Sequence, residues 1–490
     1  MVAARASLSR SLPLIAAFLA AALILLAPAI WNRFPFLFFD TGAYLERPFE
    51  GALSAGRSMV YGIWLAATRF YDFWPAAIAQ CGLTVWTVYL VLRTHGLQGR
   101  AIALPLTLVA VVLFLSVTTS LPWFAAQLMP DLFAALAVLA LHLLLFKRSE
   151  LARFERYGLI ALIVFASASH NATFAVIIAL TALAATAYFI TRKLTSTAAL
   201  KSAVAAVLLT AIFLPSVNYA VGGKFAWTPG GAGFIFSRLV QDGIVARYLA
   251  DNCPDKTIKL CRFEKQIPKT ADDFLWHQGQ KGPFVSIGGF EGGSDEMKRI
   301  ALDSLTQYPA MHVTTALYSM GLQLVRVETG DGIVRGIWSA YEAIERLVPD
   351  SRIAVHTSRQ RFDLLAPTFK ALNSFQVPLT LSAIALLPVL LLLAWRRGNI
   401  RDVELLAATI LLALLANAFV TGVLSNPHHR YGARLAWAAP FVWSVVLIQW
   451  LVVSRAWQEA AIRWLVPVGL LPKPAVIPVV TREVAPPTER

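Results

Sequence analysis

Long apolar runs separated by short polar clusters dominate this chain. Near-chargeless runs lie at about 12–31, 73–92, 102–117, 127–146, 203–218, 376–395, 403–424 and 435–453, close to the roughly 20 residues a helix needs to cross a bilayer. The run over 156–192 is too long for one straight helix and splits at Ser169-His170-Asn171 into two short spans joined by a polar elbow. The pattern predicts an all-α polytopic membrane protein with about ten transmembrane helices. Ala27-Pro28-Ala29 near the end of the first run resembles a signal-peptidase site, but the run's length and the spans that follow favour a retained helix. Residues 59–71 are amphipathic and aromatic, as in an interfacial helix.

Between the seventh and eighth predicted helices lies one large hydrophilic region, 219–375, which the topology puts outside, as a periplasmic or interfacial loop domain. It opens with Gly222-Gly223 and Gly230-Gly231. Helical patches are predicted near 238–250 and 296–307, and 309–327 reads as an amphipathic stretch on the membrane. The parts are then an N-terminal membrane module, 1–218, with its first outer loop at 32–72; the 219–375 region; C-terminal membrane helices, 376–453; and a Pro-rich cytoplasmic tail, 454–490, partly disordered.

Composition supports the membrane reading. Hydrophobic residues make up 57% and charged residues 14%, against about a quarter charged in soluble domains. The net charge of +15 is explained by basic residues at the ends of apolar runs and not by nucleic-acid binding. With the N-terminus cytoplasmic, the inner segments hold Arg5/Arg10, Arg93/Arg100, Lys147/Arg148/Arg153/Arg156, Arg192/Lys193/Lys201, Arg396/Arg397/Arg401 and Arg455/Arg463. The short outer loops around Thr118 and His170 carry no Lys or Arg, as the positive-inside rule requires. The three cysteines have no metal-site spacing. Cys81 lies in a span, whereas Cys253 and Cys261 close a short outer loop where a disulfide survives if the compartment is oxidising.

This topology gathers the unusual polar residues on one face: Asp40 and Arg57 in the first outer loop, Asp131 at the mouth of the fourth span, His170-Asn171 at the elbow, and His428-His429-Arg430-Tyr431 with Arg434 before the last span. Each also has a plainer reading. Asp40 is a solvated acid or a cap, Asp131 an acid favoured at a helix start after Pro130, His170-Asn171 a turn, and the late cluster ordinary loop charge. His428 and His429 are adjacent, without zinc spacing. A divalent metal is compatible with the carboxylates, but nothing indicates one. Carboxylates facing arginines suit group transfer from a phosphorylated donor. Guanidinium binds phosphate through a planar fork, and a carboxylate serves as general base or beside an oxocarbenium-like centre.

The order of parts resembles the GT-C superfamily of integral membrane glycosyltransferases, which includes protein O-mannosyltransferases and lipid A aminoarabinose transferases. The resemblance is carried by Phe39-Asp40-Thr41-Gly42-Ala43-Tyr44, Gly56-Arg57-Ser58-Met59-Val60-Tyr61-Gly62, Met129-Pro130-Asp131-Leu132-Phe133-Ala134, the Ser169-His170-Asn171 elbow and His429-Arg430-Tyr431. It covers residues 10–220 as layout, plus the late Arg-Tyr loop. The Asp-Glu or Asp-Asp pair common in that superfamily's first loop is not matched, since Thr41 follows Asp40. The resemblance implies transfer of a sugar from a polyprenyl-phosphate donor to a glycan, lipid or protein acceptor at the outer face of a bacterial inner membrane. Asp40 and Asp131 would be the catalytic acids, and Arg57, Tyr61, His170, Asn171, His428, His429, Arg430, Tyr431 and Arg434 would bind substrate. One competing reading is a polysaccharide polymerase or O-antigen ligase-like enzyme, with its chemistry centred on the late Arg and His residues. A transporter or lipid flippase is another, but neither internal repeats nor charges at mid-membrane depth support it.

Overall fold

The protein is described by a computed structural model that covers residues 2–97, 103–192, 194–227, 230–277, 279, 281–362 and 365–453. Arg100, Lys193, Arg455, Arg463 and the 454–490 tail lie outside the described residues. Among the described residues the chain is helical, with no strand beyond the isolated bridges Phe36 to Gln127 and Ser54 to Arg57.

In chain order the helices are α1 (Val2–Asn32), α2 (Phe39–Glu50), α3 (Met59–Ala67), α4 (Trp74–Leu92), α5 (Ala103–Thr118), α6 (Leu121–Ala125), α7 (Phe133–Phe146), α8 (Arg153–Ser169), α9 (Asn171–Thr191) and α10 (Thr197–Gly222). The hydrophilic region holds α11 (Gly231–Gln241), α12 (Ile244–Asn252), α13 (Pro283–Ser286), α14 (Gly289–Gly292), α15 (Ser294–Gln307), α16 (Pro309–Val325), α17 (Trp338–Leu347) and α18 (Arg352–Thr357). The chain closes with α19 (Ala366–Arg396), α20 (Asp402–Val423), α21 (His429–Ala436) and α22 (Ala438–Val453). Seven helical stretches among the described residues are long and apolar enough to cross a membrane: Leu12–Asn32, Trp74–Gly96, Asn171–Thr191, Thr197–Gly222, Ala366–Arg396, Asp402–Val423 and His429–Leu451. The remaining predicted spans coincide with α5, α7 and α8, of 16, 14 and 17 residues.

α7 is apolar on every side, and all of it from Phe133 to Leu145 is buried. A helix of that kind belongs in the interior. α8, α10, α20 and α4 pack around it, and these helices form one continuous apolar core. The fourth predicted span begins later than the apolar run does. Phe36 donates its amide to Ala126 O at 2.9 Å and accepts from Leu128 N at 2.8 Å, so the backbone at 126–128 is committed to an extended pairing. A 3-10 turn, Pro130–Leu132, then leads into α7. α10 starts earlier than expected because Ser196 caps it, accepting from Ala199 N at 3.2 Å. α19 also starts earlier, at Ala366, and buries Phe369.

The hydrophilic region divides by its contacts. α11, α12, α15 and the segments 258–276 and 281–290 enclose a second apolar core around Phe236, Tyr248, Phe274 and Phe284, beside the bonded pair Cys253–Cys261. α16, expected on the membrane surface, packs along α20 instead, and α17 lies against α2. At one end of the bundle Lys147 pairs with Asp402 and with Glu150 (3.1 Å), and Nη1 and Nη2 of Arg93 each donate to Glu155 at 2.7 Å. At the other end the termini of α1, α6, α8, α20 and α21 converge. There Ser120 Oγ donates to Ala433 O at 2.8 Å, and Gln360 N donates to Asn32 Oδ1 at 2.8 Å.

α21 is seated by close approach. A Cβ on Gly432 would lie 1.9 Å from the Arg326 carbonyl oxygen, whereas one on Gly321 of α16 would meet nothing within 4 Å. Gly432→Ala is therefore expected to cost about 1–3 kcal/mol through overpacking, and Gly321→Ala to stabilise by about 0.5–1 kcal/mol through helix propensity. Thermal unfolding of the two variants in detergent reads the opposite signs.

Candidate functional site

At the converging end is a cavity of about 540 Å³. Its walls come from α2, the turn before α3, the α8–α9 elbow, the segment 271–276, the loop at 331–332 and the approach to α21. The first wall is built around Asp40, in the first turn of α2. That turn is anchored on both sides. Gln360 exchanges two 2.9 Å hydrogen bonds with the backbone of Leu37, and Thr41 Oγ1 accepts from Phe38 N at 2.9 Å and donates to Leu128 O at 3.2 Å.

Asp40 lies between two guanidiniums. Arg57 Nη2 donates to its Oδ1 at 2.5 Å, and Arg430 Nη1 stands 3.6 Å from its Oδ2. Its side chain remains 21% exposed. Burial works against the charge on Arg57, but the adjacent Asp40 outweighs it and holds the guanidinium above its ordinary value. Arg57 also donates to Ala55 O at 3.1 Å and stacks on Trp276, 5.1 Å from the ring centre.

Arg430 is only 8% exposed and is held on several sides. Its amide donates to Asp331 Oδ2 at 2.8 Å, its Nη2 donates to Tyr431 Oη at 2.9 Å, and its guanidinium covers the Phe38 ring at 4.1 Å. Nη1, the nitrogen nearest Asp40, makes no hydrogen bond. A buried donor without an acceptor is costly, and since the atom has no open surface a ligand acceptor would relieve it only once Arg430 or Asp40 shifts. Phe38 can lie there because Gly332 has φ +74° and no side chain; a Cβ on it would come within 1.8 Å of the Phe38 ring.

Behind this wall is a second, closed ion pair. Arg434, one turn along α21 from Arg430, meets Asp131 at 3.3 Å, and both side chains are 0% exposed. Arg434 Nη2 donates to Asn417 Oδ1 at 2.8 Å, Nη1 approaches the His170 ring at 3.4 Å, and Asn417 Nδ2 donates to Tyr431 O at 2.7 Å. Asp131 and Arg434, expected to meet substrate, are instead enclosed. Asp131 is fixed just before α7, whose turn begins only after the extended segment at 126–128.

Of the residues singled out from the sequence, Asp40, Arg57, His170, Asn171, His428, Arg430 and Tyr431 line the cavity. Tyr61 does not. It lies behind Tyr44, ring centres 5.2 Å apart, and donates to Gln80 Oε1 at 3.2 Å, while Gln80 Nε2 binds the carbonyls of Ala125 and Gln127. His429 turns aside, its Nδ1 accepting from Glu328 N at 3.1 Å. His428 approaches Asp272 at 3.5 Å and Asn426 at 3.2 Å, and burial lowers its pKa despite Asp272 and Asp331 nearby. The Tyr44 hydroxyl is pushed upward, by burial first and then by Asp40 and Asp131, so it stays a protonated donor at the cavity wall. Sequence reasoning missed Asp272, Trp276, Phe234 and Asp331. The only signal among them was Gly330-Asp331-Gly332, an acid in a glycine-flanked turn. Glu46 and Glu50 face away from the cavity, pairing with Arg47 and Arg346.

Among the described residues no group of three or more His, Cys, Asp or Glu side chains is arranged to hold a metal ion. Comparison of the chain with protein-family models, with curated proteins and with solved structures finds no match.

Breaking a buried pair by removing one partner strands the other charge. Asp131→Asn or Arg434→Gln is expected to cost about 3–5 kcal/mol, whereas the double apolar replacement Asp131→Leu with Arg434→Met recovers most of that loss. Thermal unfolding of the three variants measures it. A double variant no more stable than either single would remove the pair as the anchor of α21.

Proposed function

We propose that the cavity is the active site of a membrane glycosyltransferase, which takes a sugar from a polyprenyl-phosphate donor at the outer face of a bacterial inner membrane. The observation that carries this reading is Asp40 set between Arg57 and Arg430, with one guanidinium nitrogen of Arg430 lacking a hydrogen-bond acceptor. The donor phosphate would take that nitrogen and draw Arg57 from Asp40, since two guanidiniums bind a phosphate better than a single shared carboxylate can satisfy them. Freed from its pair, Asp40 would accept the proton of the acceptor hydroxyl. The hydroxyl oxygen would attack the anomeric carbon, the bond from that carbon to the phosphate oxygen would break, and the leaving phosphate would carry the electron pair to the arginines. The product anomer would be inverted. The apolar helices around the site give the donor's hydrocarbon chain a place beside the protein.

Asp131 and Arg434 act in this reading as positioning residues that hold α21, and with it Arg430, at the correct depth. A second reading, a polysaccharide polymerase or ligase, draws on one specific observation: His428 and Arg430 face the same cavity. There Asp40 would be dispensable.

The test uses the full chain in proteoliposomes with a panel of radiolabelled polyprenyl-phosphate sugars. Asp40→Asn should abolish transfer while leaving the melting temperature near wild type. Arg430→Gln should lower kcat/KM about 10- to 100-fold, the worth of one charge-assisted hydrogen bond. Wild-type turnover by Asp40→Asn would overturn the proposal, and loss of activity only in His428 and Arg430 variants would move the chemistry to the second reading.

A further inference from the structure

The cavity is chemically two-sided. One part of its lining carries Asp40, Arg57 and Arg430, and the adjoining part comes from 271–276 and 425–428, with Asp272, Trp276, Ser425, Asn426 and His428. We infer that this second part is an acceptor subsite for an uncharged, hydroxyl-rich glycan. The inference rests on the transferase reading and adds the class of acceptor.

Trp276 is the first ground. Phe234 and Phe290 pack against its ring at 6.3 and 5.6 Å, and Arg57 stacks on it, which fixes its orientation. It nevertheless keeps 44% of its surface exposed at a cavity wall. A rigid, half-exposed indole offers a flat apolar face with little entropy left to lose, and the C–H face of a pyranose ring is its complement.

Charge is the second ground. Asp272 approaches the His428 ring at 3.5 Å, and burial lowers the pKa of that imidazole, so the pair leaves the wall negative. Asp331 adds a further carboxylate to the lining, already holding the amide of Arg430. Carboxylates accept hydrogen bonds from sugar hydroxyls and repel uronates, sulfates and phosphates. Ser425 and Asn426 supply neutral donors and acceptors beside them. The two parts therefore sort their ligands by charge, phosphate to the arginines and neutral sugar to the tryptophan, and a bound sugar on Trp276 would lie next to the Arg57 that contacts Asp40.

The full chain in lipid nanodiscs, without donor, is applied to an array of neutral, uronate-bearing and sulfated oligosaccharides and of Ser/Thr-rich peptides. The best-bound oligosaccharide is then titrated. Neutral oligosaccharides should bind and the acidic ones should not. Trp276→Ala should weaken that binding about tenfold and Trp276→Phe should retain it, as expected for a ring contact. Asp272→Asn should admit uronate oligosaccharides. Asp40→Asn should keep glycan binding while losing transfer, so failure of the catalytic reading shows in turnover and failure of this inference shows in binding. Equal binding of acidic and neutral glycans, capture of peptides in place of glycans, indifference to Trp276→Ala, or no glycan bound at all would overturn it.

Discussion

The enclosed contact between Asp131 and Arg434 fixes the geometry of the whole converging end. Two charges without solvent exposure need further hydrogen bonds around them, and Asn417 and the His170 ring supply some, leaving Asp131 Oδ2 and Arg434 Nε unbonded. The four residues come from the turn before α7, from α21, from α20 and from the α8–α9 elbow. One network thus registers four helix ends against each other. Such a network adds little net stability over well-packed apolar side chains, but its directional bonds hold only in a narrow range of arrangements, so it specifies position.

Position matters because Arg430 and Arg434 are one turn apart on the same short helix, with opposite fates. Arg434 sees no solvent and spends both terminal nitrogens on Asp131, His170 and Asn417, while Arg430 lines the cavity with its Nη1 unbonded. Fixing the first fixes the second. The same logic runs through Tyr61 and Gln80, which hold Tyr44 at the wall while touching nothing in the cavity. Polar residues in this protein fall into two layers: an outer one available to a ligand and an inner one that aims it.

Much of the helical architecture was legible in the sequence, because an apolar run flanked by Arg and Lys has few alternatives. The cavity was legible in part. Asp40, Arg57 and Arg430 stand out because they interrupt apolar sequence. Asp131 and Arg434 stand out for the same reason, and contrast alone cannot separate a residue facing a cavity from one sealed against a partner. Trp276 and Asp272 were invisible, since an aromatic and an acid are ordinary in a hydrophilic stretch and only folding brings them into one cavity with Asp40. The pairing of Phe36 with 126–128, which delays α7, is a long-range backbone contact that local pattern cannot announce.

α2, which carries Asp40, is closed over by α17 so tightly that a Cβ on Gly42 would lie 2.8 Å from the Ala340 Cα, and Glu46 reaches Arg346 at 2.5 Å across 300 residues of sequence. A ribosome finishes α2 long before it makes α17. The nascent protein thus inserts most of its membrane helices while Asp40 still lacks half of its surroundings, and the pocket comes into being only with the last third of the chain.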